Sequence, residues 1–261
     1  METDKIRLKK NLKMPKDPTA VIGLPGIGNV GKLVAEHLRI ELKAERIGAI
    51  YSPSFPPQAV MLKSGRLRLV CNTIYLTRRK EGDIIIITGD TQAVTPEGQY
   101  SVNSLILRFL KSLKCKRVLT IGGYSMGVNA ILVKSPRVFG NATNESMIKS
   151  FKGTKVLFGK SKGLIWGSAG LIPAFARLEG LDGACIMGET SALEIDAGAA
   201  KAVITEISKV LKLEIGTDNL DRIIKQTSKL LSRIEQHEMG GMMPQQQLPI
   251  EGNDQRPSYI R

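Results

Sequence analysis

Cysteine, histidine and aromatic residues are scarce in this 261-residue chain, which has three cysteines, two histidines and one tryptophan. Cys71, Cys115 and Cys185 lie far apart and beside apolar runs, which predicts buried free thiols in a reducing cytosol. The sequence contains neither a C-x-x-C nor an H-x-x-x-H pair, so no metal site is expected. Aromatic residues make up 5% of the chain, too few for a surface that stacks the bases of single-stranded nucleic acid.

Long apolar runs are also missing. No stretch approaches the ~18–20 uncharged apolar residues that a membrane span needs. The N-terminus alternates lysine with leucine, isoleucine and methionine, without the continuous apolar segment of a signal peptide. We therefore expect a cytoplasmic protein that makes no membrane contact.

Positive charge is in excess, with 38 Lys and Arg against 24 Asp and Glu and a net charge of +14. Such a surface attracts acidic partners at long range. The longest basic cluster is only Arg78-Arg79-Lys80, and no nucleic-acid-binding motif accompanies it. Nucleic acid is therefore not the expected partner.

Short apolar strands alternate with amphipathic helices along most of the chain, which predicts an α/β fold with a mixed, largely parallel sheet flanked by helices. Four consecutive isoleucines within Asp83–Thr88 indicate a strand that is buried on both faces. Two apolar runs, Ala59–Leu62 and Leu67–Leu76, flank a Ser-Gly pair and predict a β-hairpin. Asp196 is placed to cap a helix that continues to Leu211.

Changes in composition divide the chain into four segments. They are a basic N-terminal arm that is poorly ordered at its start (residues 1–17), an α/β core (18–215), an amphipathic helix (216–238) and a flexible C-terminal tail (239–261). The helix has a narrow apolar stripe formed by Leu220, Ile223, Ile224, Leu230, Leu231 and Ile234. The stripe packs either on the core of its own chain or against a neighbouring subunit, and both alternatives stay open.

A glycine-rich turn follows the first core strand and precedes a helix. Gly26, Gly28 and Gly31 fit G-x-G-x-x-G, but Leu33 stands where a P-loop needs a hydroxyl for Mg²⁺. The region that would supply a ribose-binding acid, Tyr51–Ser54, contains none. The turn retains two interpretations: it holds an anion on its backbone N–H groups, or glycine simply permits a tight turn.

The sequence Gly123–Gly127 reads G-x-S-x-G, the pattern of a nucleophile elbow. That motif requires a helix directly after the serine and a downstream histidine. Val128–Pro136 does not have a helical pattern, His37 lies upstream, and His237 lies beyond the core. The remaining candidates are carboxylates near strand ends and helix starts, which caps and solvated ends explain. We therefore expect no catalytic residues, no cofactor and no enzymatic activity.

Eight short motifs, taken together in their order and spacing, resemble the archaeal proteasome assembly chaperone family. They cover roughly residues 18–215 and lie at Gly23–Gly31, Thr88–Asp90, Pro96–Tyr100, Gly122–Tyr124, Val138–Thr143, Gly163–Ile165, Gly170–Ile172 and Met187–Thr190. The resemblance implies a fold similar to that of purine nucleoside phosphorylases. It also implies a homo-oligomer that is not an enzyme.

Relatives in that family bind proteasome α-subunits or proteasome-associated proteins, often through a flexible C-terminal tail. The tail of this chain ends in Pro257, Ser258, Tyr259, Ile260 and Arg261. Proteasome activators dock a terminal hydrophobic-Tyr-any-residue motif, whereas here Tyr259 is third from the end and Ser258 replaces the hydrophobic residue. The resemblance thus implies a homo-oligomeric scaffold whose tail binds a proteasome component by carboxylate capture and one aromatic anchor.

The alternative is a protein of a different class. On a phosphorylase-like fold, the loop Gly26–Gly31 would hold the phosphate of a small ligand, and the chain would be a nucleoside- or phosphate-binding protein or an enzyme.

Overall fold

Strands and helices follow the apolar patterning of the sequence in the computed structural model, which describes residues 3–125, 135–191 and 195–227. The strands are β1 (Lys5–Leu8), β2 (Thr19–Gly23), β3 (Glu45–Tyr51), β4 (Ala59–Met61), β5 (Leu67–Leu69), β6 (Asn72–Thr77), β7 (Ile84–Gly89), β8 (Arg117–Ser125), β9 (Val138–Ala142), β10 (Val156–Phe158) and β11 (Asp182–Thr190). The helices are α1 (Val30–Glu41), α2 (Pro96–Ser112), α3 (Glu145–Lys149), α4 (Ser168–Leu178) and α5 (Ala197–Leu211). A 3-10 turn over Ile27–Asn29 leads into α1, and residues 218–227 form a terminal helix.

Nine strands form one sheet in the order β1-β3-β6-β7-β2-β8-β11-β9-β10. The four central strands β7, β2, β8 and β11 run parallel. On one side β6, β3 and β1 add antiparallel neighbours, and on the other β9 is antiparallel to β11 while β10 is parallel to β9. The predicted mixed sheet is confirmed. The remaining strands, β4 and β5, form a separate two-stranded hairpin.

Helices cover both faces of the sheet. One apolar cluster joins the sheet to α1 and α5, and a second joins it to α2 and α4. Successive side chains of a strand point to opposite faces; accordingly Ile84 and Ile86 enter the first cluster, and Ile85 and Ile87 enter the second. The prediction of a strand buried on both faces is confirmed, and the fold class with it. The likeness to purine nucleoside phosphorylases stays a prediction.

Side-chain caps fix where several helices begin. The Asp196 carboxylate accepts a hydrogen bond from the Ala199 N–H at 2.9 Å, as predicted, and Thr95 accepts one from the Gly98 N–H at the start of α2. Each such cap satisfies a backbone donor that the helix itself leaves unpaired. No helix in the described part of the chain is both long enough and apolar enough to cross a membrane.

The N-terminal segment differs from the expected arm. Lys5–Leu8 forms the edge strand β1, antiparallel to β3, with Lys5 opposite Tyr51 and Leu8 opposite Gly48. The side chain of Ile6 packs against the core. The dense lysines concealed this strand in the sequence, yet charged residues are common on edge strands because they discourage further pairing.

The terminal helix uses the first part of its apolar stripe within the subunit. Leu220 is fully buried, Ile223 is 8% exposed, and Ile224 packs against the same cluster. At Leu220 and Ile223 the predicted oligomer interface is therefore corrected, because these side chains already fill the chain's own core. Leu230, Leu231 and Ile234 lie outside the described residues, and their role in an interface stays a prediction.

Candidate binding site

A cavity of about 510 Å³ opens at the carboxyl ends of β2 and β8. From β2 the chain continues towards β3 on one side of the sheet, whereas from β8 it continues towards β9 on the other side. Adjacent strands whose connections diverge in this way leave a crevice at their carboxyl ends, the usual ligand site of open α/β sheets. The topology therefore explains why the cavity lies at this place.

Two of the three glycines of the predicted anion loop are required by close packing. A Cβ atom on Gly31 would lie 2.5 Å from the carbonyl oxygen of Ile121, so α1 rests directly on the backbone of β8. Gly28 has φ of +61°, and a Cβ there would lie 2.6 Å from Thr190 Oγ1. Gly26 has no such constraint, since the nearest atom to its added Cβ is 3.8 Å away. Tight packing therefore explains Gly28 and Gly31.

The surroundings of this loop do not favour a phosphate. The carbonyl of Gly28 accepts a hydrogen bond from the Asp196 N–H at 2.9 Å, and the Asp196 carboxylate accepts one from the Thr190 hydroxyl at 2.7 Å. A carboxylate this close repels a second anion. An anion-binding role of Gly26, Gly28 and Gly31 stays a prediction.

Two polar side chains of the cavity wall, Gln92 and Thr120, hold parts of the wall together. Gln92 donates from Nε2 to the Pro25 carbonyl at 2.6 Å and accepts at Oε1 from the Ser168 N–H at 2.9 Å. It thereby ties the loop after β2 to the start of α4. Thr120 donates to the carbonyl of Ala169 at 2.6 Å. These internal hydrogen bonds make the wall rigid. The side-chain groups of Gln92 and Thr120 that form them already have partners within the protein.

The rim of the cavity is apolar and exposed. Leu164 and Trp166 are each 85% exposed, and Ile27 is 49% exposed. All three line the cavity, together with the ammonium-bearing Lys162. Large apolar side chains collected around a concave opening are a common mark of a binding site.

A serine hydrolase site does not form among the described residues. Ser125 ends β8 and lines the cavity, but the histidine that the structure describes, His37, is buried and its Nε2 donates to the Gly216 carbonyl at 2.7 Å. Met126, Gly127 and His237 lie outside the described residues.

The carboxylates noted in the sequence act as caps and ion-pair partners. The buried Asp83 accepts hydrogen bonds from the Lys16 N–H, the Arg79 N–H and the Arg78 guanidinium. Glu189 binds Arg137 at 2.6 Å, and this hydrogen bonding lowers the pKa of Glu189. Within the described ranges no three His, Cys, Asp or Glu residues are grouped so as to hold a metal ion.

The three cysteines are buried and free, as predicted. Burial raises the pKa of Cys185 to about 12 and that of Cys115 to about 11, and it raises the pKa of Cys71 as well. A thiol with a raised pKa stays protonated at neutral pH and is a poor nucleophile. These side chains therefore contribute packing.

The hairpin β4–β5 exposes an apolar face that the sequence analysis did not identify. Ala59 pairs with Leu69 and Met61 with Leu67, so these four side chains share one face. Met61 is 85% exposed, Leu67 69% and Leu69 59%. We call this the outer face of the hairpin. The hairpin predicted for Ala59–Leu62 and Leu67–Leu76 forms only over β4 and β5, since Asn72–Thr77 instead belongs to the main sheet as β6, and its apolar side points to solvent.

A partly buried ion pair holds the opposite face of the hairpin. Arg68 donates to both carboxylate oxygens of Asp90, at 2.5 and 2.8 Å, and the Cys71 N–H adds a third hydrogen bond at 2.9 Å. Burial pushes the pKa of Asp90 upwards, but the hydrogen bonds from Arg68 and Cys71 outweigh it and hold the pKa below its ordinary value. The sequence signal for this arrangement was Arg68 between two leucines. The face of the hairpin that carries the arginine needs an acidic partner, so that face is the one that packs on the rest of the chain.

The predicted partner-binding residues Pro257, Ser258, Tyr259, Ile260 and Arg261 lie outside the described residues. Sequence reasoning also missed the cavity rim. The signal there was the sole tryptophan, Trp166, in a glycine-bounded segment with Leu164.

Known proteins similar to this chain agree on a family. The profile of the PAC2 family matches residues 20–235. An uncharacterized protein of Methanocaldococcus jannaschii is 33% identical over 250 residues, 96% of this chain and 95% of that one. The crystal structure of Pyrococcus furiosus PbaB, an archaeal proteasome activator, is 34% identical with a TM-score of 0.83, covering 90% of this chain and all of that one. P. furiosus PbaA, an archaeal homolog of proteasome-assembly chaperone, shares the fold at 24% identity and a TM-score of 0.75, over 90% and 93% of the two chains. The resemblance inferred from the motifs is confirmed, and the chain belongs to the PAC2 family.

Proposed function

We propose that this PAC2-family chain is a non-enzymatic, homo-oligomeric scaffold of the proteasome-assembly chaperone type. It binds proteasome α-subunits or a proteasome-associated protein, and its C-terminal tail makes the contact. The observation that carries the proposal is the likeness to PbaB, at 34% identity over 90% of this chain and the whole of that one. A likeness of that extent supports a proteasome-related role for the chain as a whole.

The outer face of the hairpin supports the homo-oligomeric part of the proposal. Met61, Leu67 and Leu69 present contiguous apolar side chains on a two-stranded ribbon. Exposed apolar patches of this kind are typical of protein contacts. Several subunits would also present several tails, and tethered weak contacts add up to a much higher avidity.

The test is a pull-down with purified archaeal proteasome α-subunits and core particles. Full-length protein is compared with a chain lacking Pro257–Arg261, with Tyr259→Ala, and with Ser258→Ala as the matched control. We expect the deletion and Tyr259→Ala to lose capture while Ser258→Ala retains it, because an aromatic anchor carries more binding energy than a serine hydroxyl. Capture that is equal for all four proteins contradicts the role of the tail.

A native mass measurement tests the oligomer separately. An assembly of defined subunit number supports the scaffold, and a monomer at micromolar concentration contradicts it. Neither result depends on which client the tail binds.

The alternative of a nucleoside- or phosphate-binding protein has one observation in its favour, the cavity beside Gly26. Thermal shift with nucleosides and inorganic phosphate tests it, since a ligand at ~100 Kd stabilises the folded chain by ~2.7 kcal/mol. A reproducible shift that Gly26→Phe abolishes would favour this alternative over the scaffold.

A further inference from the structure

We propose that the cavity at the carboxyl ends of β2 and β8 is a binding site for a small amphipathic anion, a molecule with an apolar body and one carboxylate. The inference concerns the cavity alone and does not depend on the role of the tail. It differs from the phosphate alternative because the anion is held by the side chain of Lys162 at the rim and not by the backbone N–H groups of the glycine loop.

The first argument is space. Ligand cavities typically measure ~300–1,000 Å³, and this one measures about 510 Å³. Part of its volume exists because Gly122 on β8 has no side chain. A Cβ there would project between Ala169 Cβ, 3.3 Å away, and Met187 Cγ, 3.7 Å away.

The second argument is the apolar character of the walls and rim. Ile22, Leu24, Ile121 and Met187 line the interior. At the mouth, Leu164 and Trp166 leave most of their surface in water. A bound apolar body would remove that surface from water, which stabilises the complex in proportion to the apolar area buried.

The third argument is charge. Among the described residues that line the cavity there is no carboxylate, and the one cation is Lys162. The structure shows no ion-pair partner for Lys162 within the described residues. The local field therefore favours an anion at the rim and disfavours a cation.

The fourth argument is that polar side chains of the wall already have hydrogen-bond partners within the protein. Gln92 and Thr120 already bind backbone groups, and Gln99 donates to the Ala93 carbonyl at 2.7 Å. A sugar or a nucleobase needs many free donors and acceptors, because each unmatched polar group that it buries costs affinity. An apolar body with a single charged end needs only the ammonium group of Lys162.

The experiment uses three probes that share the phenylpropyl skeleton and differ in the end group: 3-phenylpropionate, 3-phenylpropionamide and 3-phenylpropylamine. Trp166 is the sole tryptophan and lines the cavity, so its fluorescence reports occupancy, and calorimetry of the full-length protein gives the affinity. We expect the acid to bind more tightly than the amide and the amine to bind most weakly.

Lys162→Gln and Lys160→Gln form a matched pair, since both side chains are exposed on one loop and only Lys162 lines the cavity. We expect Lys162→Gln to lower the affinity for the acid by about 2- to 5-fold, the range of an exposed ion pair, and to leave the affinity for the amide unchanged. Lys160→Gln should leave both affinities unchanged. Gly122→Val fills the cavity and should lower the affinity for both the acid and the amide at least ~10-fold. Circular dichroism verifies that this variant folds.

Three results would overturn the proposal. They are an amine that binds as tightly as the acid, an equal response of the two lysine variants, and the absence of saturable binding by any probe. Tighter binding of adenosine or inorganic phosphate than of the acid would also overturn it. If Gly122→Val does not fold, the lysine pair decides.

Discussion

The outer face of the hairpin and the rim of the cavity both expose large apolar side chains, but their surroundings differ. The hairpin is a two-stranded ribbon separate from the main sheet, and the hydrogen bonds from Arg68 to Asp90 attach it to the rest of the chain. The rim surrounds a concave space whose wall is tied together by Gln92 and by the close approach of α1 to β8. An apolar ribbon that stands out in solvent suits another protein surface, whereas a concave apolar surface suits a small ligand. The two surfaces are therefore assigned different roles because of their shape and the contacts that hold them in place, more than because of the apolar area that they expose.

The largest expected effect tests whether the cavity side is as rigid as the contacts indicate. Gly31→Ala forces a Cβ against the carbonyls of Ile121 and Leu24, and we expect it to lower the free energy of unfolding by about 3 kcal/mol, as overpacking does. Urea unfolding at fixed protein concentration measures it. Gly26→Ala is the control in the same loop and should change stability by less than ~0.5 kcal/mol. Equal effects of the two substitutions would refute the packing explanation of the loop.

The next effect tests whether one ion pair attaches the hairpin. Asp90→Asn removes the charge that receives both Arg68 bonds, and we expect it to lower the free energy of unfolding by about 2 kcal/mol, the value of a hydrogen-bonded charged group. Hydrogen exchange of residues 59–69 should accelerate, while exchange at the cavity wall stays unchanged. Glu145→Gln in the exposed pair with Lys149 is the control, at about 0.3–0.5 kcal/mol. Uniform acceleration throughout the chain would show that the hairpin is not a separately held unit.

The pH dependence of that pair sharpens the comparison further. The pKa of Asp90 is lowered in the folded chain, so its contribution is fully present above the unfolded value of ~3.9 and is lost as pH falls through the folded value. The stability difference between the wild type and Asp90→Asn should therefore shrink in strong acid. Unfolding curves of both proteins from neutral pH downwards measure it. A difference that stays constant below the unfolded value would exclude an ionised Asp90 as its source.

The parts of the fold that the sequence predicted are those determined by neighbours along the chain. Four consecutive isoleucines are enough to predict that β7 is buried on both faces. Asp196 likewise predicts the start of its helix, because its side chain can cap the N–H of the residue three positions further on. Which face of the hairpin points to solvent depends instead on the ion pair between Arg68 and Asp90. Asp90 lies 22 positions further along the chain, and no residue near Arg68 in the sequence identifies it as the partner. The cavity was equally hidden, because it arises where the connections of β2 and β8 diverge, which is a property of topology.

The same reasoning applies to the two ends of the described chain. Ile6 and Leu220 both pack on the core, but the first lies among lysines and the second belongs to a stripe that fits two kinds of partner. Periodicity identifies an apolar face without identifying what covers it. Only the folded chain shows that Leu220 is covered by its own subunit.

The smallest effect on stability separates the two apolar surfaces most directly. The double variant Met61→Ser/Leu67→Ser removes apolar side chains that contact solvent in the single subunit, so its stability as a monomer should change by less than ~0.5 kcal/mol. If the outer face joins subunits, as the proposed scaffold requires, native mass spectrometry should nevertheless show a smaller assembly, because the contact loses buried apolar area. Leu164→Ser at the cavity rim is the matched control and should leave the mass unchanged while weakening 3-phenylpropionate. A reduced mass for Leu164→Ser with an intact assembly for the hairpin variant would reverse the two assignments, placing subunit contact at the concave surface.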